Sequence, residues 1–259
     1  MTGGTGGFDG LAGAGPSSAS PPPPGIRTVP PSSPGATRLV LIRHGEAVCN
    51  VSGVCGGMLG CQGLTDVGRG QVELLADRLR ASGELAGADA LYSSVLPRAV
   101  ETAELLAPAL VGPAPGGGSA PELVTECGLC ELHPGESDGL TWSEYAERFG
   151  PLDWDIEPDR PIAPGGESWT GFVNRVATNL DALAARHVGQ TVVVACHAGV
   201  IEASLLAKMP ITGGLDGARL GLRTRHASLT TWEIDQGRWT LSGYNDAAHA
   251  DMAQSDSNW

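Results

Sequence analysis

Two histidines and two arginines stand where short apolar runs end. Arg43-His44-Gly45-Glu46 follows Arg38–Ile42 (RLVLI), Arg98 comes shortly after Ala88–Ser93, and His197-Ala198-Gly199 follows the run that starts at Thr191 (TVVVA). A neutral imidazole is a competent nucleophile near neutral pH, whereas a serine needs a separate base. A guanidinium fork grips phosphoryl oxygens through charge-assisted hydrogen bonds worth roughly 1.5–3 kcal/mol each. Brought together, these four side chains suit the chemistry of a phosphoryl group. Arg98 alone reads as a solvated helix arginine; its position just beyond Ser93-Ser94 is what promotes it.

For the four to meet, the runs that precede them must be strands of one sheet. Arg38–Ile42, Ala88–Ser93 and Thr191–Ala195 are short, apolar and bounded by polar or glycine residues, as buried parallel strands are. Helices are predicted between them. Thr65 can cap one whose Val67, Val72, Leu75 and Leu79 recur at helical intervals before Ser82-Gly83 stops it. Pro97 suits the first turn of another with a stripe of Val100, Ala103, Leu106 and Leu110. Trp169–His187 and Val200–Lys208 complete the helices. Ser228–Ile234 and Arg238–Gly243 are expected to form a hairpin around Asp235-Gln236-Gly237 at or near the sheet edge. The alternation implies a three-layer α/β/α fold with a mostly parallel central sheet, in which ligands bind beyond the carboxyl ends of the strands.

The 259 residues include 38 Gly and 19 Pro, more than a fifth of the chain, and a net charge of −13. The acidic balance argues against a general nucleic-acid or anionic-membrane binder, and no apolar run approaches the ~18 residues of a membrane span. Much of the Gly and Pro lies in residues 1–37, expected to be a disordered tail without the features of a secretory signal. Residues 38–245 are expected to form one catalytic domain, with a loose loop at Gly112–Pro121, and 246–259 a flexible acidic tail. A cytoplasmic setting is expected, with reduced thiols at Cys49, Cys55, Cys61, Cys127, Cys130 and Cys196. Two alternatives stand beside plain buried thiols: a disulfide from the 49–61 loop to the 127–130 segment, and a zinc site pairing Cys127 and Cys130 with two of the first three cysteines.

LIRHGEAVCN resembles the signature of the histidine phosphatase superfamily, the branch that contains cofactor-dependent phosphoglycerate mutases and many small-molecule phosphatases. The resemblance is carried by an ordered set: RHGE with Asn50 downstream, GLT, SSVLPRAVETAELL around Arg98, LCELHPGESDGLT around Glu131, PGGES, CHAGVI around His197, and YNDAAH. It implies a phosphoglycerate mutase-like fold, with His44 as the nucleophile that forms a phosphohistidine. Arg43, Arg98 and His197 would hold the phosphoryl oxygens, Asn50 would help to bind substrate, and Glu131 would be the proton donor. It implies neither a metal nor another cofactor, because the arginines supply the positive charge. His133, His187 and His226 have no assigned role, and the cluster Arg219, Arg223 and Arg225 reads as a solvated face.

Where mutase members place Trp before the Asn of the first motif, this chain has Cys49, and the following VSGVCGGMLGC has no aromatic residue. Rigid holding of a second phosphate there looks harder, which favours a phosphatase over phosphoryl shuttling. A mutase-type transfer and a catalytically silent phospho-ligand-binding protein stay as alternatives. The expected partner is a small phosphorylated substrate or inorganic phosphate, with no nucleic acid and no membrane; a homodimer is left open.

Overall fold

Side-chain alternation along the first strand, β1 (Thr37–Arg43), sorts the core into two halves. Val40 and Ile42 enter one buried cluster, while Leu39 and Leu41 enter another on the opposite face, as the period-2 pleat requires. In the computed structural model, which describes Met1 and residues 35–112, 118–209 and 221–251, this strand is followed by a short helix α1 (Val48–Ser52) and by α2 (Asp66–Ser82). Next come β2 (Ala90–Ser93), α3 (Pro97–Leu106), β3 (Leu123–Thr125), α4 (Trp142–Phe149), α5 (Trp169–Arg186) and β4 (Thr191–Cys196). The chain then forms α6 (Ala198–Lys208), β5 (Leu229–Asp235), β6 (Arg238–Asp246) and α7 (Ala248–Asp251).

The sheet runs β3-β2-β4-β1-β5-β6. The four strands β3, β2, β4 and β1 are mutually parallel, and the β5–β6 hairpin adds antiparallel pairing on β1, so the sheet is mixed. Val72, Leu75 and Leu79 of α2 pack with Ala103 and Leu106 of α3 on one face. Phe172, Val176, Leu180 and Leu183 of α5 pack with Val200 and Ile201 of α6 on the other. The expected three layers result. Caps fix the helix starts: Thr65 accepts the Gly68 N–H, and Ser168 accepts the Gly171 N–H.

Several expectations shift by a residue or a turn. Val67 is exposed and Val100 is only half-buried; Ala103 and Leu106 of the expected α3 stripe are buried, joined by Ala99 and Thr102. Leu110 is buried, but in a 3-10 turn, Ala107–Leu110, because Pro108 cannot extend an α-helix. The tail expected from 246 starts too early. Asp246 ends β6 and pairs with Arg78, which also holds Glu84, and α7 continues to Asp251. At the other end Thr37 is already strand, buried, and its Oγ1 accepts the Gly189 N–H. The tail reading for residues 2–34, the middle of the loop at 113–117, and residues 252–259 lie outside the described residues. Among the described residues no helix is long and apolar enough to cross a membrane.

Candidate active site

The parallel ladder continues one residue past the strands and thereby aligns the site. Beyond the Arg43–Cys196 pairing, the His44 N–H donates to the Cys196 carbonyl at 2.9 Å, and the Ser94 N–H donates to the Ala195 carbonyl at 3.1 Å. His44 and His197 therefore leave adjacent strands side by side, with ring centroids 5.2 Å apart. Gly45 turns the chain against the first turn of α2. A Cβ there would lie 2.4 Å from the Gly68 carbonyl oxygen, so only glycine fits.

His44 is buried, and its Nδ1 lies 2.6 Å from the Gly45 carbonyl oxygen. A carbonyl can only accept, so Nδ1 carries the proton and Nε2 is left with its lone pair. Arg98 Nε donates to that Nε2 at 3.2 Å. Burial, followed by the charges of Arg98 and Arg43, drives the His44 pKa well below the usual imidazole range. The ring is thus neutral and has one defined nucleophilic nitrogen.

Arg98 lies in the first turn of α3 and is buried; its Nη1 donates to the Gly56 carbonyl at 2.7 Å. Arg43 donates through Nη1 to the Thr224 carbonyl, while its buried Nε has no partner among the described residues. His197 Nε2 is 2.7 Å from Ser94 Oγ, and its buried Nδ1 likewise has no partner there. Burial and the same arginine charge, Arg98 before Arg43, hold His197 neutral as well. A phosphoryl oxygen in the cavity that Arg43 lines could satisfy this arginine's Nε.

Glu131 enters from another direction. Its Oε2 accepts the N–H of Gly199, the second residue of α6, at 3.1 Å, and its Oε1 accepts the Leu132 N–H at 3.1 Å. The segment before it is strung on Arg175, which donates to the carbonyls of Gly128 (2.9 Å), Cys130 (3.1 Å), Cys127 (3.3 Å) and Glu131 (3.3 Å) and pairs with Glu167.

These groups open into a cavity of about 370 Å³. Arg43, His44, Arg98, Glu131 and the exposed Asn50 line it, so the structure gathers five of the six expected residues on one surface. His197 is not on that surface and packs behind His44. Asn50 also braces the turn through Oδ1, which accepts the Ala47 N–H. No motif pointed to the outer wall, Trp142, Trp154, Ile162 and Trp169, with Trp154 stacked on Trp169 at 5.7 Å. Nor did any assign His226, whose ring lies 5.9 Å from His44 and whose pKa is pushed down to about 3 by burial and Arg43. Arg223 is exposed and Arg225 half-buried; Arg219 lies outside the described residues.

All six cysteines are free. No disulfide joins the 49–61 loop to the 127–130 segment, and among the described residues the donor nearest to both Cys127 and Cys130 is His133 rather than a cysteine of the first segment. Five of the thiols are buried and Cys127 is exposed.

Fold and site together define an α/β protein of the phosphoryl-transfer class. The chain belongs to the histidine phosphatase superfamily, branch 1, whose family profile matches residues 39–247. It is 31% identical over 216 residues to a metal-independent phosphoserine phosphatase of Arabidopsis thaliana, covering 82% of this chain and 83% of that protein. It is 30% identical to phosphoglycerate mutase-like protein 4 of the same plant, covering 82% and 86%. Among solved structures, a mycobacterial glucosyl-3-phosphoglycerate phosphatase with VO3 superposes with a TM-score of 0.61 at 26% identity, covering 80% of this chain and 98% of that one. Two of these three similar proteins are named as phosphatases and one as phosphoglycerate mutase-like.

Proposed function

We propose that the protein hydrolyses a small phosphate monoester in two steps on His44. The lone pair of Nε2 attacks phosphorus as the P–O bond to the alcohol breaks, and Glu131 gives the departing oxygen its proton. Glu131 then takes a proton from the water that attacks phosphorus, the P–N bond breaks, and inorganic phosphate leaves. Arg43 and Arg98 hold the non-bridging oxygens, where positive charge and preformed donors stabilise the transition state most, and His197 supports the His44 ring it packs against. The observation that carries this reading is the Nδ1 contact to the Gly45 carbonyl, which fixes Nε2 as the unprotonated nitrogen beside Arg98.

The cavity also supports a class of substrate. Apart from Arg43 and Arg98, no Lys or Arg is among its described lining residues, and its outer wall is largely tryptophan. A carboxylate on the alcohol part would find no cation there, whereas a sugar ring or an aromatic group could stack on Trp154 and Trp169. A second phosphate would fare no better, which favours hydrolysis over mutase transfer. The six free thiols are in keeping with a reducing, cytoplasmic setting.

Phosphate release measured over a panel of monoesters tests this. Sugar and aryl phosphates are expected to exceed phosphoserine and 3-phosphoglycerate in kcat/KM by at least tenfold. A preference for the carboxylate-bearing substrates would overturn the reading of the wall.

A further inference from the structure

We infer that Cys127, Cys130 and His133 form a binding site for a zinc-type divalent ion, separate from the phosphoryl cavity. The two sulfurs and a ring nitrogen lie within 4.8 Å of one another, and Cys127 Sγ is 3.3 Å from His133 Nε2. Tetrahedral zinc, with bonds of about 2.3 Å to sulfur and 2.0–2.1 Å to nitrogen, holds such donors roughly 3.5–3.8 Å apart. Small side-chain adjustments bring the three to that spacing. Two thiolates and an imidazole are the donor set that selects zinc over magnesium or calcium.

The surroundings are those of a preformed site. Arg175 fixes the carbonyls of Cys127, Gly128 and Cys130, so the backbone between the two thiols is held before any ion arrives. The His133 N–H donates to Glu167 Oε2 at 2.9 Å, and the His133 Nδ1 lies 3.5 Å from the same oxygen. A carboxylate at Nδ1 directs the proton there and leaves Nε2 to ligate, the usual outer arrangement of a metal-bound histidine. Buried Cys130 anchors the site, while exposed Cys127 leaves a path for the ion and a fourth position for water. Binding converts both thiols to thiolates and releases their two protons.

Glu131 lies between Cys130 and His133 in the chain, so the bound ion is a clip across the segment that presents the proton donor. The ion takes no part in phosphoryl transfer, since none of its three ligands lines the cavity.

Titration of the reduced full-length protein with Co²⁺ tests the site. The expected result is a thiolate-to-cobalt charge-transfer band and the visible bands of a four-coordinate ion, saturating at one equivalent and abolished by Zn²⁺. Cys127→Ser and His133→Gln should each weaken binding at least tenfold, and Zn²⁺ should raise the Tm of the parent protein but not of these variants. The double variant Cys49→Ser/Cys61→Ser should retain the bands. Absence of the bands at stoichiometric Co²⁺ would overturn the inference, as would their survival in a folded Cys127→Ser variant or their loss in the Cys49/Cys61 variant.

Discussion

Glu131 and Gly199, 68 positions apart, are joined by a 3.1 Å hydrogen bond from the glycine N–H to Glu131 Oε2. The contact seats the carboxyl at the N-terminus of α6, directly after His197, so the group assigned proton transfer and the imidazole packed against His44 are positioned by the same turn. A Cβ at residue 199 would meet Glu131 Oε1 at 2.2 Å. That oxygen ends a flexible side chain, so the fold can absorb the clash by displacing it.

Gly199→Ala should therefore keep a Tm within a few degrees of the parent while losing kcat. On alkyl phosphates, whose leaving oxygen needs a proton, the loss should be roughly 10²–10⁴-fold, the usual contribution of a general acid. On aryl phosphates, which leave as stable anions, it should be far smaller. An equal loss on both substrates would contradict the role given to Glu131.

Arg98 makes two bonds from different nitrogens, Nε to His44 and Nη1 to the Gly56 carbonyl. A lysine at this position can supply charge but not the fork. Arg98→Lys should lower kcat by roughly 10²–10³-fold, as loss of one preorganised transition-state donor does. Steady-state kinetics that changed KM alone would assign Arg98 to ground-state binding instead.

Much of this site was legible because strand ends are legible. Arg38–Ile42 and Thr191–Ala195 are continuous apolar runs, and a parallel sheet delivers the residues beyond them to one edge. Other features lacked a local signal. β3 is three half-exposed or exposed residues, too short for any alternation to show. The wall tryptophans come from the start of α4, an irregular turn and the start of α5, which only tertiary packing unites. Helix α4 did carry a signal: Thr141 and Glu144 form a reciprocal cap, the T-x-x-E pattern. Cys127 and Cys130 read as half of a metal site whose remaining donors would be distant cysteines, whereas the nearer donor is His133, three residues on.

Neutral His44 has a spectroscopic consequence. Its pKa is lowered by burial and by Arg98 and Arg43, so the ring should stay unprotonated as pH falls through 6.5, where an exposed histidine charges. The ¹⁵N shifts of labelled His44 should show protonated Nδ1 and bare Nε2 unchanged from pH 8 to below pH 6. Titration with a midpoint near 6.5 would contradict the assigned tautomer and charge.

Burial also sets the acid stability. For His226 the folded pKa is about 3, below the unfolded value, so both states are neutral at high pH and it makes no difference there. As pH drops below about 6.5 the unfolded chain takes the proton first, and stability falls by up to about 1.4 kcal/mol per pH unit. Denaturant unfolding between pH 7 and 4.5 should show a shallower loss in His226→Asn than in the parent. Parallel curves would show that His226 does not contribute.

The most direct measurement of the central claim is chemical trapping of the phosphoenzyme. Rapid quench with ³²P-labelled substrate should yield up to one equivalent of base-stable, acid-labile phosphate on a peptide containing His44, and His44→Ala should lose both the label and turnover. Full turnover in His44→Ala, or label found on another residue, would contradict it.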